Sequence, residues 1–511
     1  MASIPPPNAR GRNMALTAAF LGWLFDGFEM GLFPLIGKPA LQDLLAGTGD
    51  AALISQGVDR WFTVIIATFL VGAATGGVFF GWLGDRIGRV KAMTFSIFTY
   101  AIFTGLCGFA TEAWHVAILR FIASLGMGGE WALGVALVNE LWTKGNRAWV
   151  AGAIGAAANI GYLLVAFLSL GMNNFLTSVQ DIFASLGASQ SLSDYLLHNQ
   201  AWRFLMISGA FPAVLIFFIR LFVPESDKWE EEKKTGSTSH WSTPDLLGVL
   251  FGAVVAMIII WAWSPMGVAT PTATVITVVG FCAVVWGFLL PVRRYLQRST
   301  AAGNMSEDTR RKVRSNLVIG ATLAGIALLG TWGAAQQAPK WSTELASNGY
   351  SHPMQYTQIC TALGATVFAL LTPVLADILN RRLTYLICCI TAMASSIFFF
   401  RFNTQIDTNF FISAFLMGGL TASFYGFFPL YLPELFPTAV RATGQGFCFN
   451  VGRIIAAIGG LQLANLIAVF GGEGVSKLQA SASAFTVLCS VYLVGMLLIW
   501  CAPETKGKAL Q

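Results

Sequence analysis

The chain has 511 residues, of which 55% are hydrophobic and only 11% are charged. Soluble domains carry about 25% charged residues, so this composition excludes a soluble globular protein and predicts an integral membrane protein. The net charge of +6 comes from basic residues in short loops between apolar runs, which does not indicate a nucleic-acid partner. The eight cysteines lie almost entirely within those runs and predict neither a disulfide framework nor a metal site.

Apolar runs along the chain predict the helices that cross the membrane. A span needs about 20 apolar residues. By this rule we predict fourteen spans, at 14–36, 61–83, 91–111, 113–142, 148–171, 203–223, 246–264, 270–291, 316–338, 356–377, 382–400, 410–432, 441–470 and 483–502. The loop 173–201 is expected to hold a short surface helix. The fold class is therefore all-α and polytopic.

The distribution of basic residues predicts the orientation in the membrane. If the N-terminus is cytoplasmic, the cytoplasmic gaps between spans hold 23 of the 31 Lys and Arg residues. Cytoplasmic loops carry the excess of basic residues, so both termini are predicted to be cytoplasmic. The segment 292–315 contains seven basic residues and is expected to be a solvated cytoplasmic loop near anionic headgroups.

The first span contains two acidic residues, Asp26 and Glu29. A carboxylate at a span centre costs at least about 2.5–3.5 kcal/mol, so a basic partner, a proton or a substrate must offset that cost. Glu29 is ~10 Å from the outer end of its span, and Arg120 in the fourth span lies at a similar depth. We predict an ion pair between them, with Asp26 one turn deeper. If the arginine can be drawn away, these three residues can couple a proton to conformation; the alternative is a permanent ion pair that fixes helix packing.

Two acid–base motifs recur along the chain in the same order. An Asp-x-x-Gly/Asn-Arg core recurs after 292 residues, and a Glu and an Arg seven residues apart recur after 294 residues. This repeat predicts two homologous six-helix halves, 1–235 and 316–511, separated at 236–315 by two inserted helices and a basic linker. Ion pairs among the repeated residues are expected to hold the halves together in one conformational state; the alternative is loop-shaping salt bridges of small net value. The predicted gating residues are Asp85, Arg86, Arg89, Glu140, Arg147, Asp377, Arg381, Arg382, Glu434 and Arg441.

Several of these motifs carry a family resemblance. The segment 81–89 resembles the cytoplasmic signature loop of the major facilitator superfamily, with Val90 at a position that is usually basic. The spacing Arg120-x5-Gly126-x-Gly128-Gly129 is similar to the fourth-helix motif of that superfamily. The resemblance covers nearly the whole chain except about 236–315, and it implies a transporter fold.

Shorter motifs resemble two branches of that superfamily. Three segments resemble sugar porters, namely Trp202-Arg203, Pro224-Glu225-Ser226 and 503–507. Three others, at 26–29, 128–131 and 450–453, are similar to the metabolite–proton symporters that carry sialate or lactate. The resemblance therefore implies a proton-coupled transporter of an organic acid or, more distantly, of a sugar.

Arg453, near the middle of the thirteenth span, is the first candidate for binding a substrate. A guanidinium binds carboxylates bidentately, so Arg453 is predicted to bind an anionic substrate, with neutralisation by Glu130 as the alternative. Gln336 and Gln337 resemble the paired glutamines of sugar porters, but Ala338-Pro339 replaces the expected continuation, and a helix-end role is the alternative. The remaining predicted substrate-binding residues are Glu130, Trp131, Asn159 and Asn450, for which helix packing is the alternative role.

The leading hypothesis is a secondary active transporter that moves a small organic acid, such as a monocarboxylate or a sialate-like acid, together with protons. The alternatives are a proton-coupled sugar transporter and a transport-inactive nutrient sensor on the same fold. No P-loop, Walker motif, HExxH or nucleophile elbow is present, so no enzyme activity and no cofactor are expected. The expected partners are a small-molecule substrate, protons and the lipid bilayer, with the protein acting as a monomer in the cell membrane.

Overall fold

The computed structural model describes residues 9–47, 49–142, 147–263, 268–346, 350–472 and 474–508. These residues form helices and loops with no β-strand among them, which confirms the all-α prediction. Within the described ranges the α-helices are α1 (Ala9–Leu45), α2 (Ala51–Ile87), α3 (Arg89–Cys107), α4 (Ala113–Leu141), α5 (Arg147–Leu170), α6 (Met172–Ser185), α7 (Gln190–Ser208), α8 (Val214–Phe222), α9 (Asp227–Lys234), α10 (Leu246–Ala262), α11 (Thr270–Ala301), α12 (Glu307–Gly333), α13 (Ala338–Leu345), α14 (Pro353–Ile378), α15 (Arg381–Phe402), α16 (Thr408–Tyr431), α17 (Arg441–Phe470), α18 (Lys477–Cys489) and α19 (Val491–Leu498).

Thirteen helical stretches in the described part of the chain are long and apolar enough to cross a membrane. They correspond to thirteen of the fourteen predicted spans. The exception is the predicted span 203–223, which is divided between α7, a 3₁₀ turn at Phe211–Ala213 and α8. Pro212 lies in that turn and cannot donate a helical hydrogen bond, which accounts for the interruption. The predicted surface helix in the loop 173–201 is present as α6, which is largely exposed.

The two repeated Asp-x-x-Gly/Asn-Arg motifs lie at the α2–α3 and α14–α15 junctions. Gly88 joins α2 to α3 with a φ of 112°, a left-handed conformation that favours glycine. At the equivalent position Asn380 has an extended backbone, and its side chain accepts the N–H of Leu383 at 2.8 Å to cap α15. Both junctions leave an aspartate at the end of one helix and an arginine at the start of the next. We call the end of the molecule that holds these junctions the motif face.

The helices pack into two groups. In the N-terminal bundle (α1–α8), α4 packs against α2 and α3, and α1 packs against α5. In the C-terminal bundle (α12–α19), α14 packs against α16, and α12 packs against α17. The bundles meet along two seams, one between α5 and α14 and the other between α2 and α17. At the second seam a side chain at Gly446 would collide with the backbone of Gly77, so the two helices can approach closely because both positions are glycine.

The inserted helices form a hairpin that lies along the second seam. Helix α10 packs against α11 over its length, where Gly248 faces Gly287. On its other side α10 packs against α2, while α11 contacts α17 and α12. The hairpin therefore contacts both bundles.

Candidate functional site

Two arginines converge on one buried carboxylate at the motif face. Glu140 at the end of α4 accepts hydrogen bonds from Arg89 at 3.0 Å and from Arg441 at 2.9 Å. Arg89 also pairs with Asp85 at 2.6 Å, and all four side chains are fully buried. Because Arg441 begins α17 and the other three residues belong to α2, α3 and α4, this network joins the two bundles.

Asp85 also caps α17 across the interface between the bundles. One carboxylate oxygen accepts the backbone N–H of Thr443 at 2.8 Å and its hydroxyl at 2.5 Å. The other oxygen accepts the N–H of Ala442 at 3.3 Å. A negative charge at the first turn of a helix is favourable, so Asp85 stabilises α17 and fastens it to the N-terminal bundle at the same time.

A second network at the motif face repeats the first one around Glu434. This carboxylate binds Arg381 at 2.8 Å and Arg147 at 3.0 Å, and Arg381 pairs with Asp377 at 2.7 Å. Arg147 begins α5 in the N-terminal bundle, whereas the other residues belong to the C-terminal bundle. Each glutamate therefore binds one arginine of its own bundle and one arginine of the other bundle. Together the two networks hold the bundles against each other at the motif face and close it.

Two glutamates that follow the last helix of each bundle cap helices at the motif face, namely α3, which begins at Arg89, and α15, which begins at Arg381. Glu225 accepts backbone N–H groups at the start of α3, and Glu504 accepts those at the start of α15. Burial raises the pKa of Glu225 above its ordinary value, although these N–H groups act in the opposite direction. Burial also acts to raise the pKa of Glu504, but hydrogen bonds from four backbone N–H groups outweigh it and hold that pKa below the ordinary value.

Arg86 and Arg382, both predicted to be gating residues, have contacts outside the two networks. Arg86 donates to the hydroxyl of Thr243 at 2.7 Å and lies over the ring of Trp82. Arg382 donates to the carbonyl of Ala502 at 2.7 Å, within the C-terminal bundle. These two arginines therefore attach α2 to the segment before α10 and α15 to the C-terminal segment, instead of joining the bundles.

A cavity of about 580 Å³ lies between the bundles, away from the motif face. It is formed by the later residues of α1 and α5, by residues 62–70 of α2, by Arg120 of α4, by the early residues of α14, by residues 418–425 of α16 and by the residues around the turn between α12 and α13. Because most of these segments, those of α16 excepted, lie toward the ends of their helices that are opposite the two networks, the cavity lies toward the other end of the molecule. The structure therefore combines a closed motif face with a cavity on the opposite side.

The wall of this cavity contains the predicted ion pair of the first and fourth spans. Arg120 binds Glu29 at 2.8 Å, and both side chains are buried. The hydroxyl of Thr104 donates to the same glutamate oxygen at 2.7 Å, and the guanidinium lies between the rings of Phe33 and Phe69. Arg120 lines the cavity, so this buried ion pair borders a space that a substrate could enter.

Two further carboxylates lie close to this pair without hydrogen-bond partners. Asp26 is fully buried, Glu130 is 2% exposed, and none of their four oxygens has a hydrogen-bond partner among the described residues. Asp26 is within electrostatic range of Glu29, Glu130 and Arg453. Leaving an ionised carboxylate buried without a partner is costly, so this cluster is suited to hold protons.

Arg453 lies twelve residues into α17, or ~18 Å along its axis from the motif face. No carboxylate lies within 4 Å of its guanidinium among the described residues, so these residues contain no ion pair between Arg453 and Glu130, the alternative partner. Its guanidinium donates to the side chain of Asn450 at 3.0 Å and lies over the ring of Phe449. The ring of Trp131 stacks on the same phenylalanine, Phe449, with the ring centroids 4.1 Å apart.

The predicted substrate residues fall into two groups. Asn159, Gln336 and Gln337 line the cavity. Glu130, Trp131, Asn450 and Arg453 are buried and lie outside its lining. Arg453 is nevertheless within electrostatic range of Tyr162 and Tyr425, two residues that do line the cavity.

Sequence reasoning missed most of the polar residues that line the cavity. They are Tyr162, Ser169, Thr331, Trp332, Lys340, Gln355, Gln358, Thr361, Thr421 and Tyr425. The indole N–H of Trp332 donates to the hydroxyl of Tyr425 at 2.9 Å, which fixes both rings on the wall. The three-residue spacing of Gln355 and Gln358 at the start of an apolar helix is a signal that could have indicated them.

Comparison with known proteins places this arrangement among transporters. The family described as "Sugar (and other) transporter" matches residues 14–242. The "Cis,cis-muconate transport protein" of Acinetobacter baylyi is 24% identical over 94% of this chain and 92% of its own. The "Sialic acid transporter NanX" of Escherichia coli is 32% identical over 45% of this chain and 47% of its own. The proton:xylose symporter XylE, a solved structure of the major facilitator superfamily, is 18% identical, with a TM-score of 0.66 and 98% of each chain covered.

The chain therefore has the fold of the major facilitator superfamily, and residues 14–242 match its "Sugar (and other) transporter" family. The likeness to XylE shows the fold, and the sequence relatives are transporters, not enzymes. A chain with this fold and these relatives is a multi-pass membrane transporter, as the motifs at residues 81–89 and 120–129 predict.

Proposed function

We propose that this transporter couples the uptake of a small organic acid to protons by alternating access. The observation that carries the proposal is the buried Glu29–Arg120 ion pair at the cavity wall, next to the carboxylates of Asp26 and Glu130, for which the described residues supply no hydrogen-bond partner. An arginine that leaves Glu29 to bind a substrate carboxylate leaves behind a glutamate that is best stabilised by a proton. Substrate and proton would then bind together, which is the requirement for symport.

Arg453 supports an anionic substrate. It has no carboxylate within ion-pair distance in the described part of the chain, and it is within electrostatic range of Tyr162 and Tyr425, which line the cavity. A buried guanidinium is a strong binding group for a carboxylate, and it would meet the substrate once the cavity contracts around it. Muconate and sialic acid, which two relatives are named for, both carry carboxylates.

The alternation would use the two networks at the motif face. We infer that residues 1–235 and 316–511 are the two moving halves and that 236–315 is an insert. Each half supplies one glutamate, Glu140 or Glu434, that binds an arginine of the other half. With the motif face in the cytoplasm, as the basic residues predict, the cavity would open outward and the ion pairs would break when the transporter turns inward. One chain contains both halves, so a monomer is sufficient.

Sugar transport is the second candidate function. The amides of Asn159, Gln336, Gln337, Gln355 and Gln358 line the cavity, and amides donate and accept hydrogen bonds to hydroxyl groups. The same amides would also bind the hydroxyls of a sialate-like acid, so this observation does not by itself favour a neutral sugar. A transport-inactive sensor would have no use for a cluster of buried carboxylates that can exchange protons.

The decisive experiment measures uptake by purified protein in proteoliposomes with an imposed pH gradient. The panel pairs sialic acid with its methyl ester and lactate with lactamide, and it includes xylose. Accumulation of an acid that collapses with the pH gradient supports the proposal. Accumulation of xylose alone would move sugar transport to first place, and binding of a panel member without movement would support the sensor.

A further inference from the structure

The charge of the cavity lining is not balanced. Among the described lining residues, Arg120 and Lys340 are charged, and none is Asp or Glu. The charge of Arg120 is compensated by Glu29, which it binds at 2.8 Å. Lys340 therefore determines the net charge that the cavity wall presents to a solute.

The acidic residue nearest to Lys340 along α13 is engaged elsewhere. Glu344 lies one turn beyond Lys340, where a side chain could pair with it, but it binds Lys477 at 2.8 Å. No carboxylate lies within ion-pair distance of Lys340 in the part of the chain that the structure describes. The ammonium group is exposed and available to a solute at the cavity.

The position of Lys340 is not explained by helix stability. Helix α12 ends at Gly333, a 3₁₀ turn covers Ala335–Gln337, and α13 begins at Ala338, so Lys340 lies in the first turn of α13. A cation near the N-terminus of a helix is unfavourable, because the N–H dipoles there are themselves positive. The break between α12 and α13 places Lys340 on the cavity wall, although its charge is then repelled by the N–H dipoles at the start of α13.

We infer that Lys340 is a specificity-determining residue that draws anionic substrates into the cavity and discriminates against neutral ones. This inference rests on the proposed function. An exposed charge of this kind raises the local concentration of an oppositely charged solute and acts mainly on association, and salt screens the effect. Arg453 and Lys340 would then act in sequence, with the lysine at the open cavity and the arginine behind its wall.

The test compares Lys340→Gln and Lys340→Arg with the control Arg401→Gln. Arg401 lies at the same end of the molecule, outside the cavity lining, and donates to the hydroxyl of Thr486, so its removal releases no carboxylate that could pair with Lys340. The probes are sialic acid and lactate, each with its methyl ester or amide, and the readout is initial uptake at low and high ionic strength. We expect Lys340→Gln to raise the KM for the acids roughly fivefold at low salt, the factor that corresponds to ~1 kcal/mol between unit charges 4 Å apart in water. The maximal rate and the uptake of the neutral analogues should not change.

The variants separate this inference from the proposed function. Lys340→Arg and Arg401→Gln should behave like wild type, and the defect of Lys340→Gln should shrink at high salt. If wild type prefers the acids and Lys340→Gln keeps the same preference, the inference is wrong while the proposed function stands. If wild type does not prefer either acid over its neutral analogue, the proposed function fails and the inference fails with it. Unchanged uptake of the neutral analogues by Lys340→Gln shows that the variant is folded.

Discussion

Arg89 and Arg441 donate to the same oxygen atom, Oε1 of Glu140, at 3.0 and 2.9 Å. One arginine begins α3 and the other begins α17, so a single carboxylate atom fastens the two bundles together. Removing that charge would leave two buried guanidinium groups sharing one neutral acceptor. The closed motif face therefore depends on Glu140 more than on either arginine alone.

The first prediction concerns this closure. Glu140→Gln should weaken the closed motif face by about 3–5 kcal/mol, the cost of removing one partner from a buried ion pair. A cysteine placed at Ala439, next to the Arg89 contact with Thr438, should then react faster with a thiol reagent applied from the motif face. Glu344→Gln, which neutralises an exposed pair, should change the rate little. Equal reactivity in Glu140→Gln and wild type would mean that the network does not hold the closed state.

The second prediction concerns proton coupling. Asp26→Asn or Glu29→Gln should abolish accumulation driven by a pH gradient and leave exchange of substrate across the membrane, because an amide keeps the packing but cannot release a proton. The measurement compares uphill uptake driven by the pH gradient with counterflow exchange in the same proteoliposomes. Thr104→Val, which removes a hydrogen bond to Glu29 but no titratable group, should leave coupling intact. Wild-type accumulation in both amide variants would rule out this coupling site.

The third prediction concerns substrate charge. Arg453→Gln should lower the affinity for an organic acid by ~10- to 150-fold, which corresponds to roughly 1.5–3 kcal/mol for a charge-assisted hydrogen bond. Arg453→Lys keeps the charge but loses the bidentate geometry, so its loss should be smaller. The check is binding of an acid and its neutral amide to wild type and both variants. A mutant that keeps the preference for the acid would assign Arg453 to packing against Phe449 and Asn450.

The fourth prediction uses the opposite pKa shifts of Glu225 and Glu504. The lowered pKa of Glu504 means that its carboxylate stabilises the fold above its ordinary pKa of about 4.3 and that this contribution is lost as the pH falls through the folded value. The raised pKa of Glu225 has the opposite sign: its contribution is present at low pH and is lost as the pH rises.

These signs can be measured as thermal midpoints in detergent between pH 3 and pH 7. The midpoint of Glu504→Gln minus that of wild type should become more negative as the pH rises. The same difference for Glu225→Gln should become more positive. Parallel pH dependence of the two variants would contradict the assignment.

The fifth prediction concerns topology. A cysteine introduced within residues 302–306, between α11 and α12, should react with an impermeant thiol reagent from the cytoplasmic side alone. The two exposed native cysteines, Cys282 and Cys501, have to be replaced first so that the introduced thiol gives the signal. Labelling from outside would reverse the orientation inferred from the basic residues.

The sequence was most informative where depth along a helix can be counted. The Glu29–Arg120 pair was predicted because both residues lie at countable distances from the ends of their spans, and the structure contains that pair. The repeated motifs likewise indicated residues that the structure brings together around Glu140 and Glu434. Both inferences need only the position of a residue along its own helix or within a repeated motif.

The set of residues that line the cavity depends on how each helix is rotated about its axis and on where helices break. A single sequence gives neither. Gln355, Gln358 and Lys340 reach the cavity because α14 and the α12–α13 turn present one side to the N-terminal bundle. The break before α13 has no proline or glycine within Ala335–Gln337 to announce it, since the glycine lies before the turn and the proline after it. By contrast, Gly209 and Pro212 were visible signals that the predicted sixth span is interrupted.

The α10–α11 hairpin rests on α2 with one helix and on α17 with the other. Any motion that separates α2 from α17 must also shift this hairpin against the surrounding acyl chains, because its outer surface carries Leu247, Leu250, Val278 and Trp286 in exposed positions. The energy of deforming the lipid then contributes to the barrier between the two conformations. The thickness and lateral pressure of the bilayer should therefore affect the turnover rate of this protein more than that of a transporter that has no hairpin along this seam.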